Sequence, residues 1–163
     1  MFVAGIITAS DSGARGDRVD ESGKLLKEKL IEMGLTVSKY QVLPDDRATL
    51  KKAMVQWSQG EIDLILTTGG TGLSPRDWTP EATKDVIDRE IPGFGEQMRR
   101  VSMDKTPHGM LSRGVSGIKE GTIIINMPGS PKAVAECFDA IAPALIHGLE
   151  IVTGRASDCA RKS

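Results

Sequence analysis

The sequence predicts an α/β domain with a mostly parallel sheet and helices on both of its faces. Strand-like and helix-like segments alternate through the first half of the chain with short connections, a pattern that requires parallel crossovers. Ile62 to Thr68 reads as a largely apolar run bounded by turn signals, as in a central strand covered on both sides. Glycine is also abundant, 18 of 163 residues against a usual ~7%, and many glycines directly follow apolar runs, where α/β proteins place their ligand loops.

Phe2 to Thr8 is read as a short buried strand, followed by the polar turn Ala9–Gly13. A helix starts near Asp20, a good N-cap; Leu25, Leu26, Leu30 and Met33 follow helical spacing, and Gly34 stops it. Thr36 to Leu43 forms the next strand. Pro44-Asp45-Asp46 leads into a helix whose Leu50, Ala53, Met54 and Trp57 fall at i, i+3, i+4 and i+7, with Gly60 at its end. The strand ending at Thr68 empties into Gly69-Gly70-Thr71-Gly72 and a loop reaching Thr79, the expected cap of a helix with Pro80 at its first position. Pro92-Gly93 precedes another helical stretch to about Met103. Ser112 to Ile118 and Thr122 to Met127 read as two strands joined at Lys119–Gly121. The last helix opens at Ser130-Pro131 and carries Val134, Cys137, Phe138, Ile141 and Leu145 as its buried stripe. Residues 1–153 are expected to form one domain and 154–163 a flexible tail.

The length suits a single domain, and a chain of this size buries roughly two-thirds of its unfolded surface without a disulfide or metal staple. Lys plus Arg number 21 and Asp plus Glu 22, for a formal charge of -1. That balance argues against a nucleic-acid-coating or membrane-surface protein, both of which carry a basic excess. Cys137 and Cys159 fit neither a zinc spacing nor a disulfide scaffold, which suits a reduced, cytoplasmic chain. The N-terminus lacks a basic region before its apolar run, and no apolar stretch approaches the ~20 residues of a membrane span.

Ligands of parallel sheets settle outside the carboxyl ends of the strands. Those ends are here Ser10-Asp11, Pro44-Asp45, Gly69–Gly72 and Pro128-Gly129-Ser130. Glycines after a buried strand let backbone N–H groups point at an anion, although a tight structural turn would look the same. The loop matches neither a P-loop nor the dinucleotide GxGxxG pattern; three glycines within four residues favour the anion. Asp77 would repel a phosphate unless a hard cation lay between them, so phosphate binding here implies Mg²⁺. Of Asp45 and Asp46, one caps the helix and the other is open to face the site. Ser130 stands at a helix N-terminus, whose partial positive charge favours anions. Ser112-Arg113 offers a cation of unspecified orientation. His108 and His147 have no partner spacing for a metal or a triad.

In order along the chain stand Thr8–Asp11 (TASD), Asp20–Gly23 (DESG), Pro44–Asp46 (PDD), Thr67–Gly72 (TTGGTG) and Arg76-Asp77 with Thr79–Ala82 (TPEA). Pro92–Glu96 (PGFGE), Leu111–Arg113 (LSR) and Asn126–Ala133 (NMPGSPKA) complete the series. With this set the chain resembles the molybdopterin adenylyltransferases of molybdenum cofactor biosynthesis. The resemblance implies a three-layer αβα fold, a homotrimer (or a hexamer, in one branch of the family) and transfer of AMP from MgATP to the terminal phosphate of molybdopterin. It implies Asp45 and Asp77 as the catalytic acidic pair, acting through Mg²⁺. It makes Gly69, Gly70, Thr71, Gly72, Pro128, Gly129 and Ser130 ligand-binding, together with Ser10, Asp11, Asp20, Ser112 and Arg113. Transient contact with other cofactor-biosynthesis proteins would follow. The competing reading is a catalytically silent pterin-binding carrier or oligomeric module of the same fold.

Overall fold

The computed structural model describes residues 1–155. Its strands are β1 (Val3–Ala9), β2 (Thr36–Leu43), β3 (Leu64–Thr68), β4 (Arg89–Glu90), β5 (Ser116–Lys119) and β6 (Thr122–Met127). Its helices are α1 (Asp11–Ala14), α2 (Glu21–Glu32), α3 (Arg47–Ser58), α4 (Thr79–Lys84), α5 (Pro92–Met103) and α6 (Pro131–Thr153), with a 3-10 turn at Pro107–Leu111. One six-stranded sheet runs in the order β2-β1-β3-β6-β5-β4. The first four of these strands pair in parallel. β4 and β5 add an antiparallel edge. The chain goes from β1 to β2 on one side and then to β3 on the other, so the strand order reverses between β1 and β3. Such a reversal opens a crevice at the carboxyl ends of the two strands.

Alternation along the strands divides the core between two faces. Ile6, Leu64, Leu66, Ile123 and Ile125 pack with Leu26 and Leu30 of α2, Phe94 and Met98 of α5 and the stripe of α6. Ile7, Ile65 and Ile124 face the other way, against Leu50, Met54 and Trp57 of α3 and Ala82 and Val86 of α4. The three layers expected from the resemblance are therefore present. Trp57 packs so tightly over β1 that a Cβ on Gly5 would lie 2.7 Å from its ring.

The caps show why the helices begin where they do. Side chains of Ser10, Asp20, Asp46 and Ser130 each accept from the backbone N–H three residues on, at the starts of α1, α2, α3 and α6. Asp46 is thus the cap of its pair, which leaves the Asp45 side chain without a capping role. Three local readings differ from the structure. The polar turn after β1 closes into the one-turn helix α1. Thr79 is the first residue of α4 rather than its cap, because its hydroxyl donates instead to the Gly69 carbonyl at 3.0 Å. Residues 112–115 are irregular, because the Arg113 N–H turns away from the sheet to reach the Thr71 carbonyl at 2.9 Å.

At the other end, Gly154 closes α6 with φ +73°. Arg155 donates to both oxygens of Asp63, at 3.2 and 3.4 Å. The remainder of the expected tail, 156–163, including Cys159, lies outside the described residues. Among those described, no helix is long and apolar enough to cross a membrane.

Asn126 joins the layers. From β6 its amide donates to Thr67 Oγ1 of β3 at 3.0 Å and to Thr83 Oγ1 of α4 at 2.9 Å. Its carbonyl oxygen accepts from the Val115 N–H at 3.1 Å. Asn126→Ala would leave buried polar groups unpaired and is expected to cost about 2–3 kcal/mol in denaturant unfolding; a loss below about 0.5 kcal/mol would show that the network does not hold β6 to α4.

Candidate functional site

The crevice between β1 and β3 is a cleft of about 470 Å³. The ends of those strands supply Thr8, Ala9, Ser10, Thr68 and Gly69; the helix starts supply Gly13, Asp20, Glu21, Ser22, Ser130 and Pro131; Arg18, Val19 and Gly129 complete the lining. Five residues singled out from sequence meet here: Ser10, Asp20, Gly69, Gly129 and Ser130. The glycines allow the walls to approach each other. Gly69 has φ +88°, and a Cβ on it would lie 2.5 Å from the Ala9 carbonyl oxygen. A Cβ on Gly129 would lie 3.5 Å from Gly69 Cα. Thr68 Oγ1 donates to the Pro128 carbonyl at 2.6 Å, and Ser22 Oγ to the Gly129 carbonyl at 2.7 Å, tying both sides of the mouth together.

Asp20 is fixed by three donors: the Gly23 N–H at 3.0 Å, Thr8 Oγ1 at 2.6 Å and the Tyr40 hydroxyl. Burial, reinforced by that hydrogen bond, pushes the Tyr40 phenol well above its ordinary range, so it remains a donor. Thr8 and Ser22 could be suspected from their places beside Asp20 and the strand end. Tyr40, halfway along an edge strand, carries no such signal.

Across Gly69 and Gly70 from this cleft lies a cluster of aspartates. Asp11 Oδ1 accepts from the Asp45 N–H at 2.9 Å, and its Oδ2 accepts from Arg76 at 2.6 Å. Asp45 Oδ1 is buried and has no hydrogen-bond partner among the described residues. A Cβ on Gly70 would lie 3.0 Å from that same oxygen, and one on Gly72 would lie 2.9 Å from Asp77 Oδ2. Asp77 Oδ2 accepts from the Ser74 N–H at 3.0 Å. Asp11, Asp45, Gly70, Gly72 and Asp77 therefore form a second group beside the cleft lining rather than within it. Thr71 is buried, Pro128 holds the mouth through its carbonyl, and Ser112 and Arg113 lie behind the glycine loop with Arg113 bonded to Gly72 and Asp77.

Asp11 and Asp45 are displaced in opposite directions from the ordinary carboxylate range. Asp11 is lowered, first by the Asp45 N–H and then by Arg76. Asp45 is raised, first by burial and then by the negative charges of Asp11 and Asp77. No three His, Cys, Asp or Glu side chains among the described residues are placed to share a metal ion. Mg²⁺ needs less: one or two carboxylates, with phosphate oxygens and water completing its octahedron. The unpartnered Asp45 oxygen, close to Asp77 and a glycine loop, fits that demand.

Fold and site together define an α/β ligand-binding domain, its cleft at the carboxyl edge of a parallel sheet and an acidic cluster alongside. The chain belongs to the family described as a probable molybdopterin binding domain, which it matches over residues 5–147. It is 40% identical over 153 residues to the molybdopterin adenylyltransferase of Helicobacter pylori strain J99, covering 92% of this chain and 87% of that one. It is 36% identical to the Escherichia coli K12 protein of the same name, covering 89% and 78%. Dictyostelium discoideum gephyrin is 37% identical over a stretch that is 94% of this chain but 23% of its own length. The crystal structure of the molybdopterin biosynthesis enzyme MoaB from Thermus thermophilus superposes with a TM-score of 0.89 at 48% identity, covering 94% of this chain and 98% of that one.

A carboxyl raised by folding favours the native state most below its unfolded pKa, and that advantage disappears as pH rises through the folded value. Asp45 thus weighs against the native state at neutral pH in divalent-free buffer. Asp45→Asn is expected to raise the thermal midpoint there, with the gain vanishing as pH falls through the carboxylate range; a midpoint that drops at neutral pH would contradict the burial and repulsion described.

Proposed function

We propose that this chain transfers AMP from ATP to the terminal phosphate of molybdopterin, giving adenylyl-molybdopterin and pyrophosphate. The observation that carries the reading is the single rim on which a polar cleft and an acidic cluster meet across Gly69-Gly70, in a chain whose relatives bear the name of that activity. A phosphate oxygen of molybdopterin attacks the α-phosphorus of ATP; the new P–O bond forms as the α–β anhydride bond breaks, and its electron pair leaves with pyrophosphate.

The attacking phosphate is already ionised, so no strong general base is needed, and the obstacle is repulsion between two polyanions. The α6 N-terminus and the glycine-loop amides supply positive ends for phosphate oxygens. Ser130 adds a hydroxyl, and Asp20 offers the cleft a fixed acceptor for an N–H of the pterin. Asp45 and Asp77 are the residues that would hold Mg²⁺, which when bound spreads the charge of the triphosphate. Positioning and preorganised donors do the rest. The resemblance further supports a homotrimer acting in the cytoplasm, in transient contact with other cofactor-biosynthesis proteins; a mass measurement in solution separates trimer from hexamer.

Protein, molybdopterin and MgATP mixed together should yield pyrophosphate and an adenylylated pterin. Pterin binding without pyrophosphate release would point to a silent carrier instead. In the same assay, Asp77→Ala should lower turnover by ~100-fold or more while leaving molybdopterin affinity largely intact, since Asp77 does not line the cleft; near wild-type turnover would remove its role.

A further inference from the structure

We infer that Arg113 is a positioning residue that fixes Asp77 for catalysis by stapling the Gly72–Asp77 turn from beneath, an inference that rests on the function proposed above. Its N–H donates to the Thr71 carbonyl at 2.9 Å. Its Nε donates to the Gly72 carbonyl at 2.8 Å and its Nη2 to the Asp77 carbonyl at 3.0 Å. The remaining guanidinium nitrogen, Nη1, donates to Glu81 Oε1 on the first turn of α4. One side chain therefore grips both ends of the turn and the helix that follows. Every guanidinium nitrogen already has a protein acceptor, and Arg113 does not line the cleft.

The turn needs such an anchor. Leu73 to Arg76 are all exposed, Leu73 at 63%. Its internal bonds, Asp77 N–H to the Ser74 carbonyl at 2.9 Å and Ser74 N–H to Asp77 Oδ2 at 3.0 Å, aim the Asp77 carboxylate but do not fix the turn to the body of the protein. Arg76 reaches Asp11 only at the surface, where an ion pair contributes little. Arg113 is itself held from behind. Arg99 of α5 donates to the Gly114 carbonyl at 2.9 Å and the Ser112 carbonyl at 3.4 Å, on either side of Arg113. A continuous tie thus runs from α5 through residues 112–114 to the acidic turn. Glu81 depends on the same guanidinium, since its Oε2 is buried without a hydrogen-bond partner among the described residues.

The planar fork of arginine reaches three acceptors in fixed directions, which a lysine ammonium at the end of a flexible stem does not reproduce. Arg113→Lys should therefore behave nearly as Arg113→Ala. For both, kcat for AMP transfer should fall by about 10- to 100-fold, the scale of a misplaced catalytic group, with molybdopterin affinity little changed. Amide hydrogen exchange at Ser74 and Asp77, read without substrates, should accelerate while β3 stays protected. Glu81→Gln, which removes the ion pair but keeps a hydrogen-bond acceptor for Nη1, should lose less kcat than Arg113→Lys. Unchanged kcat and exchange in Arg113→Lys would overturn the inference, as would weakened molybdopterin binding at wild-type kcat, the mark of direct ligand contact. Should Arg113→Ala fail to fold, the Lys variant carries the comparison. If the wild-type protein transfers no AMP, the proposed function fails, and slow exchange of the turn that survives Arg113→Lys would separately reject the staple.

Discussion

The close approach of backbone to backbone where β1 and β3 end governs the rest of the molecule. Gly69 passes so near the Ala9 carbonyl that a Cβ would sit 2.5 Å from it, in a left-handed conformation that side chains rarely adopt. Gly129 closes on Gly69 from β6. Because these three strand ends meet without side chains between them, the helix starts after β1 and β6 face one cleft. The hydroxyls of Thr68 and Ser22 then lock the walls through carbonyls of the Pro128-Gly129 turn. A parallel sheet supplies the crevice in general; the glycines decide how narrow it is here.

The same crowding sets the electrostatics. Gly70 has Asp45 and Thr79 as its near neighbours, and Gly72 has Asp77, so the glycine loop keeps carboxylates close to its backbone. Asp11 is relieved by Arg76 and the Asp45 N–H, whereas Asp45 has a buried oxygen with no donor and is raised by its surroundings. An arrangement that strains itself in this way is stabilised by whatever brings positive charge between the aspartates. Functional sites commonly hold such uncompensated groups, at some cost to the stability of the empty protein.

Much of this was legible in the sequence because it rests on local chemistry. Asp20 and Ser130 announce helix starts, Gly69–Gly72 follows a buried run, and the alternation of elements requires parallel crossovers; each depends on neighbours a few residues away. The strand edges converge because topology leaves them no other place. What sequence left open depends on long-range contact. Whether Asp45 or Asp46 caps α3 is decided by the backbone turn after β2. Thr79 is drawn from its capping role by Gly69, ten residues back. The orientation of Arg113, open in the sequence, is set by the 112–115 segment, which turns its side chain toward Gly72 and Asp77. Tyr40 has no local reason to meet Asp20, since only the pairing of β2 with β1 brings it there.

Capping and ligand binding are compatible in one side chain because a hydroxyl has two acceptor positions and one donor. Ser130 Oγ accepts from the Ala133 N–H at 3.2 Å, which fixes the start of α6 and leaves its proton without a protein acceptor among the described residues. A phosphate oxygen at that helix end would accept that proton, in line with the helix dipole. Ser22 shows the contrast: its hydroxyl donates to the Gly129 carbonyl, so it shapes the wall and offers no donor to the cleft. Asp20 is the opposite case, a cap whose oxygens accept from three donors that hold it in place. The cleft therefore presents a donor at the α6 end and an acceptor at the α2 end. A ligand with a phosphate at one end and ring N–H groups at the other meets both demands in a single orientation.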